Sequence, residues 1–592
     1  MFFFFDNISN SNDVPSVQQM LLPHIEALKN LDGRACIKEM NAKTIEIMGL
    51  PESITTIPHS NSDKRTKVEY NLAWVRTYLK KRGLIENPDR GIWSLTEKFN
   101  ELEELDATEI VRTVRQSSLD NQNSTIDSYE AFEKLVWGTL KDISKLQNKE
   151  IFSASPQFPC DFILPNGLEG IEGPIYVEVK SNLRDEWVHR SIISITNSLE
   201  NTAVGSILLI SKSELTEKSK QDLYEKLDRL TPMHIHIWDI NMLMDRIDPD
   251  SDYVEYLVNP QQILLKNAIE QSDEVFVQDQ EKVVEKFRQE FLSGNITLFL
   301  GAGVSKAAGV PLWDDLINKL LVELIKTTIK SDGISESDVE SLNKLAYKNK
   351  DDSPLIQMRY IKSAFELNEY YEIIHQALYS KNINYNAKLL DAIVKIATPS
   401  LSHKEIRNIV TYNFDNLIEK SFKAAAQPYK SIYREKDVAG AECHNIYHVH
   451  GYLPDDLEKI DLKEVELIFS EEDYHKVYRD AYSWSNITQL NFFRESTCVF
   501  IGCSLTDPNL RRLLDVAVRT EEEKKPRHYA FMARKTFGDS LKDYNISQKA
   551  LNAYKNMDNS LKERFLRRLG LNIIWVDNYD EIPKILMKLI AR

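Results

Sequence analysis

Four short stretches place ligand-binding or reactive residue types at the ends of apolar runs. Gly301-Ala302-Gly303-Val304-Ser305 follows the run Ile296–Leu300. Glycines here let the chain turn sharply from a strand into a helix. Lacking Cβ atoms, they also let a pyrophosphate lie against the main chain, with N–H groups and the positive end of the next helix facing it. This is the pattern of a phosphate cradle; an ordinary strand-to-helix turn is the plainer alternative. Thr411-Tyr412-Asn413-Phe414-Asp415, His448-Val449-His450-Gly451 and Gly502-Cys503-Ser504 close three further runs. Asn413 and Asp415 carry the amide and carboxylate dipoles that stabilise developing positive charge, and they equally suit the start of a helix near Asn416. His450 is a base able to work near neutral pH. Asp507 before Pro508 reads first as a helix N-cap. His444, His448 and His450 have no carboxylate or thiolate spaced with them, which argues against a metal there.

A second constellation lies upstream. Residues 174–180 alternate as a strand that sets Tyr176, Glu178 and Lys180 on one face. With Asp161 from a neighbouring strand, Glu178 would supply two carboxylates to Mg2+ or Mn2+, with the Lys180 ammonium near the attacking water and Glu133 completing the shell. A surface ion pair is the plainer reading of this triplet.

The first set needs a sheet whose strands end on one side. Runs at 296–300, 409–412, 446–449, 498–501, 529–532 and 573–576 alternate with helical stretches, which predicts a mostly parallel sheet covered on both faces. Ligands of such sheets bind beyond the carboxyl ends of the strands. Nearer the N-terminus, an amphipathic helix over 68–79, a basic turn and a short strand at 91–96 suggest a winged helix. Residues 64–90 hold eight basic against three acidic side chains, a patch able to hold phosphates or simply a solvated helix face.

With 592 residues the chain exceeds one core. The expected α/β organisation is a winged helix over 1–110, an α/β unit over 125–250, a helical linker over 251–277 and the parallel-sheet domain over 278–592, with a helical insertion at about 314–398. The balance of 74 Lys+Arg against 90 Asp+Glu gives −16 and excludes a general nucleic-acid coat, so DNA contact requires a local patch. Five scattered cysteines without a CxxC pair argue against disulfides and a thiolate zinc site, and fit the cytoplasm. The opening run of four phenylalanines stops at Asp6, too short to span a membrane.

The ordered series of GAGxS loop, TxNxD stretch, HG pair and GxS turn resembles the sirtuin family, over about half the chain. The resemblance implies a Rossmann-like fold and NAD+ as ligand, with Gly301, Ala302, Gly303 and Ser305 at the pyrophosphate and Gly502 and Ser504 at the adenosine side. It places Thr411, Asn413 and Asp415 in the stretch at the nicotinamide ribose and attacking water, and makes His450 the general base. Deacetylases of the family carry a zinc module on paired cysteines, which this chain cannot supply. Water then becomes the default acceptor, and the implied reaction is NAD+ hydrolysis to nicotinamide and ADP-ribose, as in bacterial anti-phage effectors that deplete NAD+. Phe132-Glu133, Asp161 and Glu178-Val179-Lys180, with the strands that follow, resemble the PD-(D/E)xK nucleases of the Mrr-like branch, which the winged helix often accompanies. That resemblance implies either a metal-dependent DNA endonuclease or a degenerate binding domain, and makes NAD+ sensing by the sirtuin-like half the alternative function. Proteins joined in this way resemble partners of HerA-type hexameric ATPases. Because a constitutive NADase would kill its host, homo-oligomerisation or a partner is expected to complete the site.

Overall fold

In the computed structural model, the described residues are 14–59, 65–89, 91–100, 106–110, 125–154, 158–183, 185–199, 205–328, 353–379, 383–401, 403–519, 526–535 and 546–590, with a few positions between 335 and 345. They form two units, Met1–Ala268 and Ile269–Arg592.

The first unit begins with helix α1 (Val17–Asn30), strand β1 (Arg34–Cys36), α2 (Ile37–Met48) and α3 (Lys67–Lys81). Reciprocal capping boxes, Ser16 with Gln19 and Thr66 with Glu69, fix the starts of α1 and α3. The hairpin β2 (Ile85–Asp89) and β3 (Ile92–Leu95) follows, with β3 antiparallel to both β1 and β2. This is the winged helix expected from the sequence. Next come α4 (Thr125–Leu146), β4 (Phe152–Ser153), β5 (Phe162–Leu164), β6 (Ile175–Lys180), α5 (Asp185–Ser198), β7 (Ser206–Ser211), α6 (Glu217–Leu227), β8 (His234–Trp238) and α7 (Ile240–Met244). The strands lie in the order β4-β5-β6-β7-β8, antiparallel up to β6 and parallel beyond it. Winged helix and mixed sheet share one contiguous core, in which Leu28, Trp74 and Leu79 join Phe132, Val136, Val177, Ile247 and Val254.

The second unit opens with α8 (Asp273–Ser293), β9 (Ile296–Leu300) and the short helix α9 (Ala302–Lys306). Among the described residues the helices α10 (Trp313–Thr328), α11 (Pro354–Ser363), α12 (Leu367–Leu378) and α13 (Lys388–Ala397) follow. Then come β10 (Asn408–Thr411), α14 (Leu417–Ala424), β11 (Tyr429–Ile432), β12 (His444–His448), α15 (Glu471–Arg479) and α16 (Trp484–Glu495). The chain continues through β13 (Thr497–Ile501), α17 (Pro508–Arg519), β14 (His528–Ala533), α18 (Gln548–Arg568), β15 (Leu571–Val576) and α19 (Ile582–Ile590).

All seven strands are parallel, in the order β11-β12-β10-β9-β13-β14-β15. The central strands β9 and β13 are buried at every residue, as a sheet covered on both faces requires. Strand β11 extends the expected six. Its Tyr-Lys-Ser-Ile sequence buries only Ile432, as an edge strand does, and leaves little apolar signal. The inserted helices are structural members of this unit. Met358, Ile361, Ile374 and Ile393 belong to the same core as Leu298 and Ile409, and Tyr371 donates to the Val465 carbonyl at 2.6 Å.

Candidate active site

Strands β9, β10, β12 and β13 are neighbours, so the four motifs that close them share one edge of the sheet. The turn after β9 is held by its neighbour. Gly301 N–H donates to the Ile501 carbonyl and Gly303 N–H to the Gly502 carbonyl, each at 3.0 Å. A Cβ at Gly301 would lie 2.6 Å from the Gly502 oxygen, and one at Gly303 would lie 2.8 Å from Gly502 Cα. These glycines therefore admit the neighbouring backbone. The pyrophosphate expectation for their amides changes accordingly: both donate inside the protein, and Ala302 N–H is the amide of the turn that makes no hydrogen bond among the described residues.

Behind the turn sits a bonded cluster. Asn413 Nδ2 donates to the Gly301 carbonyl at 3.1 Å and to Ser305 Oγ at 3.0 Å. Ser305 Oγ donates onward to Asp415 Oδ1 at 3.1 Å. Thr411 Oγ1 accepts Asn413 N–H at 3.1 Å, so the residue ending β10 sets the start of the loop. Asp415 Oδ1 also accepts Leu417 N–H at 3.1 Å, which makes it a cap of α14 as well as a member of the cluster. Burial pushes the Asp415 carboxyl up from its ordinary value, against the pull of the Leu417 and Ser305 hydrogen bonds. One atom is left over: Asn413 Oδ1 is buried and has no hydrogen-bond partner among the described residues. A buried acceptor without a donor is costly unless something else supplies one.

His450 stands in an adjoining group. Its ring meets Tyr412 edge-on at 4.9 Å and Tyr474 at 5.9 Å between centroids. Its Nε2 lies 3.7 Å from Asp507 Oδ2. Burial lowers the His450 pKa and Asp507 partly restores it, so the ring is a neutral base near pH 7. Asp507 has two tasks. Oδ1 caps α17 through Leu510 N–H at 2.6 Å, as the sequence suggested, while Oδ2 accepts the Tyr474 hydroxyl and faces His450. Ser504 Oγ pairs with Thr506 Oγ1 at 2.6 Å and stays apart from the cluster.

Three supporting groups carried no sequence signal. His448, expected only to alternate along a strand, bridges Asn413 and a buried carboxylate: Nδ1 donates to the Asn413 carbonyl at 3.0 Å, and Nε2 lies 2.7 Å from Glu419 Oε1. A carbonyl oxygen can only accept, so Nδ1 carries a proton, and the Nε2–Oε1 contact requires another between ring and carboxylate. Ser431 Oγ donates to the same Glu419 oxygen at 2.9 Å. From the insertion, the Tyr379 hydroxyl accepts Asn416 N–H at 3.0 Å and donates to the Leu453 carbonyl at 2.8 Å.

The upstream constellation is arranged differently from the expected metal shell. Glu178 and Lys180 pair with each other at 2.8 Å, both buried, and Ser191 of α5 donates to the same Glu178 oxygen at 3.2 Å. Asp161 Oδ2 accepts Val179 N–H at 2.7 Å. Helix α4, which carries Glu133, packs through Phe132 and Val136 with the Val177 and Val179 side of β6. Tyr176, which alternates with Glu178, belongs to the core on the α5 side. Among the described residues, no three His, Cys, Asp or Glu side chains gather as a metal site. Among them, too, no helix is long and apolar enough to cross a membrane.

Residues 407–556 match the SIR2-like domain family. That span covers Asn413, Asp415, His450 and Asp507, and the glycine turn precedes it. Residues 18–103 match the Mrr N-terminal domain, which covers the winged helix. The chain is 28% identical over 318 residues to the NAD(+) hydrolase ThsA of Enterococcus faecium, a match covering 52% of this chain and 58% of that protein. It is 23% identical over 335 residues to the NAD(+) hydrolase ThsA of Acinetobacter baumannii, covering 54% and 58%. A third relative, defense-associated sirtuin 2 of Bacillus subtilis, is 25% identical over 250 residues, covering 42% of this chain and 22% of that protein. The chain thus spans little more than half the length of the hydrolases it matches.

Proposed function

We propose that the SIR2-like half hydrolyses NAD+ to nicotinamide and ADP-ribose, as an effector of anti-phage defence. The observation that carries this reading is the unpartnered Asn413 Oδ1 at the carboxyl edge of the sheet. It is a fixed acceptor for an attacking water, held by a side-chain amide whose Nδ2 is already engaged twice. In the reaction the bond from the nicotinamide nitrogen to ribose C1′ breaks, and its electron pair leaves with nicotinamide. Water oxygen bonds to C1′ and releases one proton, which the neutral His450 ring is suited to accept. Asp415, raised by burial, gains in ionisation beside a cationic pyridinium, and its carboxylate in turn favours positive charge spreading onto the ribose. Ala302 N–H and Ser305 are the groups of the turn nearest in kind to a pyrophosphate contact. The hydrolase names of the relatives support the same chemistry.

The same proposal extends to a homo-oligomer, a HerA-type ATPase as partner, and DNA contact through the N-terminal half. The buried Glu178–Lys180 pair leaves metal-dependent cleavage as the secondary activity. The test is loss of NAD+ and appearance of nicotinamide by chromatography, with wild type, Asn413→Ala, His450→Ala and Glu178→Ala each assayed with and without DNA, Mg2+ and the ATPase. Hydrolysis abolished by the first two variants and retained by the third is expected. Hydrolysis that survives Asn413→Ala, or DNA cutting that needs Glu178 without any NAD+ loss, would reverse the assignment.

A further inference from the structure

The basic patch of the winged helix is already matched by carboxylates from within the same unit. Residues 245–255, Asp-Arg-Ile-Asp-Pro-Asp-Ser-Asp-Tyr-Val-Glu, carry five acidic side chains and one arginine. Arg65, just before α3, reaches Asp248 at 2.9 Å and Asp250 at 3.0 Å. Arg76 of α3 faces Asp250 at 3.9 Å, and Lys80, one turn on, binds Glu255 at 2.6 Å. Tyr70, on the same helix, donates to the carbonyls of Met244 and Ile247 at 2.7 and 3.0 Å. The segment is pinned at both ends by the buried side chains of Ile247 and Val254. Between these anchors Pro249 is buried as well, while the Asp248 and Asp250 side chains are 44% and 45% exposed. Its one basic residue, Arg246, turns away to stack on Trp238 at 4.6 Å.

A groove of about 2350 Å³ runs along this contact, lined by Arg65, Lys67 and Lys80 on one side and Asp142, Asp245 and Glu255 on the other. In helix-turn-helix folds a recognition helix enters the DNA groove. Here α3 carries the exposed Lys67 and Lys80 beside Arg65, cations of the kind that neutralise backbone phosphates, while Arg76 between them is buried and donates to Asn41 Oδ1 at 2.9 Å. In a chain of net charge −16, these cations are the local exception that DNA contact requires.

We propose that residues 245–255 stand in for a phosphodiester backbone beside α3, and that the carboxylates of this strap compete with duplex DNA for Arg65 and Lys80. The surface is a DNA-docking face with its own internal competitor. DNA gains it by displacing residues 248–252 and the Glu255 side chain while Ile247 and Val254 stay in the core. The inference is independent of NAD+ chemistry, because no residue of the second unit takes part.

The test is binding of a fluorescent DNA duplex to the full chain across a salt series, comparing wild type with the Asp248→Asn/Asp250→Asn/Glu255→Gln variant. Removing three competing carboxylates is expected to tighten binding by about 10-fold or more at low salt and to steepen its decline with salt. Adding Arg65→Ala and Lys80→Ala to that variant is expected to reverse the gain. Equal DNA affinity in wild type and the neutralised variant overturns the proposal, as does a gain that survives loss of Arg65 and Lys80. Polyglutamate bound as tightly as DNA at the same salt would make the face an acidic-protein dock and also overturn it. If the triple variant does not fold, hydrogen exchange of wild type decides: DNA is expected to deprotect residues 248–252, and unchanged protection at saturating DNA refutes competition.

Discussion

The His448–Glu419 pair makes a sharp prediction about how Asn413 is held. Glu419 is 3% exposed, and its Oε1 serves both His448 and Ser431. Glu419→Ala would leave His448 Nε2 and the Ser431 hydroxyl buried without their acceptor. Removing one partner of a buried charged pair costs about 3–5 kcal/mol. Glu419→Gln behaves differently, because its amide can donate to an unprotonated His448 Nε2 while Nδ1–H still donates to the Asn413 carbonyl. The expected cost is about 1 kcal/mol, that of a neutral hydrogen bond replacing a charge-assisted one. Denaturant titration and steady-state NAD+ hydrolysis on the same preparations read both consequences. Glu419→Ala should lower kcat more than it raises KM, because the His448 ring that donates to the Asn413 carbonyl loses the carboxylate that orients it, and Glu419→Gln should recover most of the kcat. Wild-type stability and kcat in Glu419→Ala would refute the idea that this pair positions Asn413. Equal losses in Ala and Gln would show that the charge itself matters.

Three further outcomes are expected. Gly502 has φ +70°, and a Cβ there would sit 2.5 Å from Val304 N; Gly502→Ala should cost at least about 3 kcal/mol and abolish hydrolysis, whereas Gly49→Ala, at φ +60° in open space, should cost about 1 kcal/mol, both read by denaturant titration. His528 is buried, and its pKa falls from 6.5 to about 3; the unfolded chain binds the proton first, so stability falls as pH drops below 6.5, by about 2 kcal/mol at pH 5, and His528→Gln should flatten that part of the profile. Asp507→Asn keeps an N-cap oxygen but removes the charge that raises the His450 pKa, so the acid limb of the kcat/KM profile should move to lower pH; an unmoved limb would remove His450 as its source.

The sequence was most readable where one residue type answers a local backbone need. The turn at 301–305, the strand ends and the cap at Asp507 could be placed because glycine and carboxylate side chains act there on neighbours a few residues away. Contacts across the chain were not readable. The carbonyl that engages Gly303 lies about two hundred positions later, so the sequence showed a free cradle where the fold shows a docked one. Glu419 looked like an ordinary charge on an amphipathic helix, and only the register of β10 with β12 brings His448 onto it. The basic patch of residues 64–90 was counted correctly, but its counter-charges follow some 180 residues on. The Glu178–Lys180 spacing correctly predicted a shared face, while its burial against α5 depended on packing that spacing does not encode.

The docking of β9 against β13 also sets an order of events during synthesis. Gly301, Gly303 and Asn413 emerge from the ribosome well before residues 497–507, yet the turn bearing the two glycines is held by carbonyls of Ile501 and Gly502. A nascent chain that has already made its Asn413 and His450 therefore still lacks the strand that shapes their surroundings. The proposed NAD+ site is thus incomplete until translation has passed residue 502.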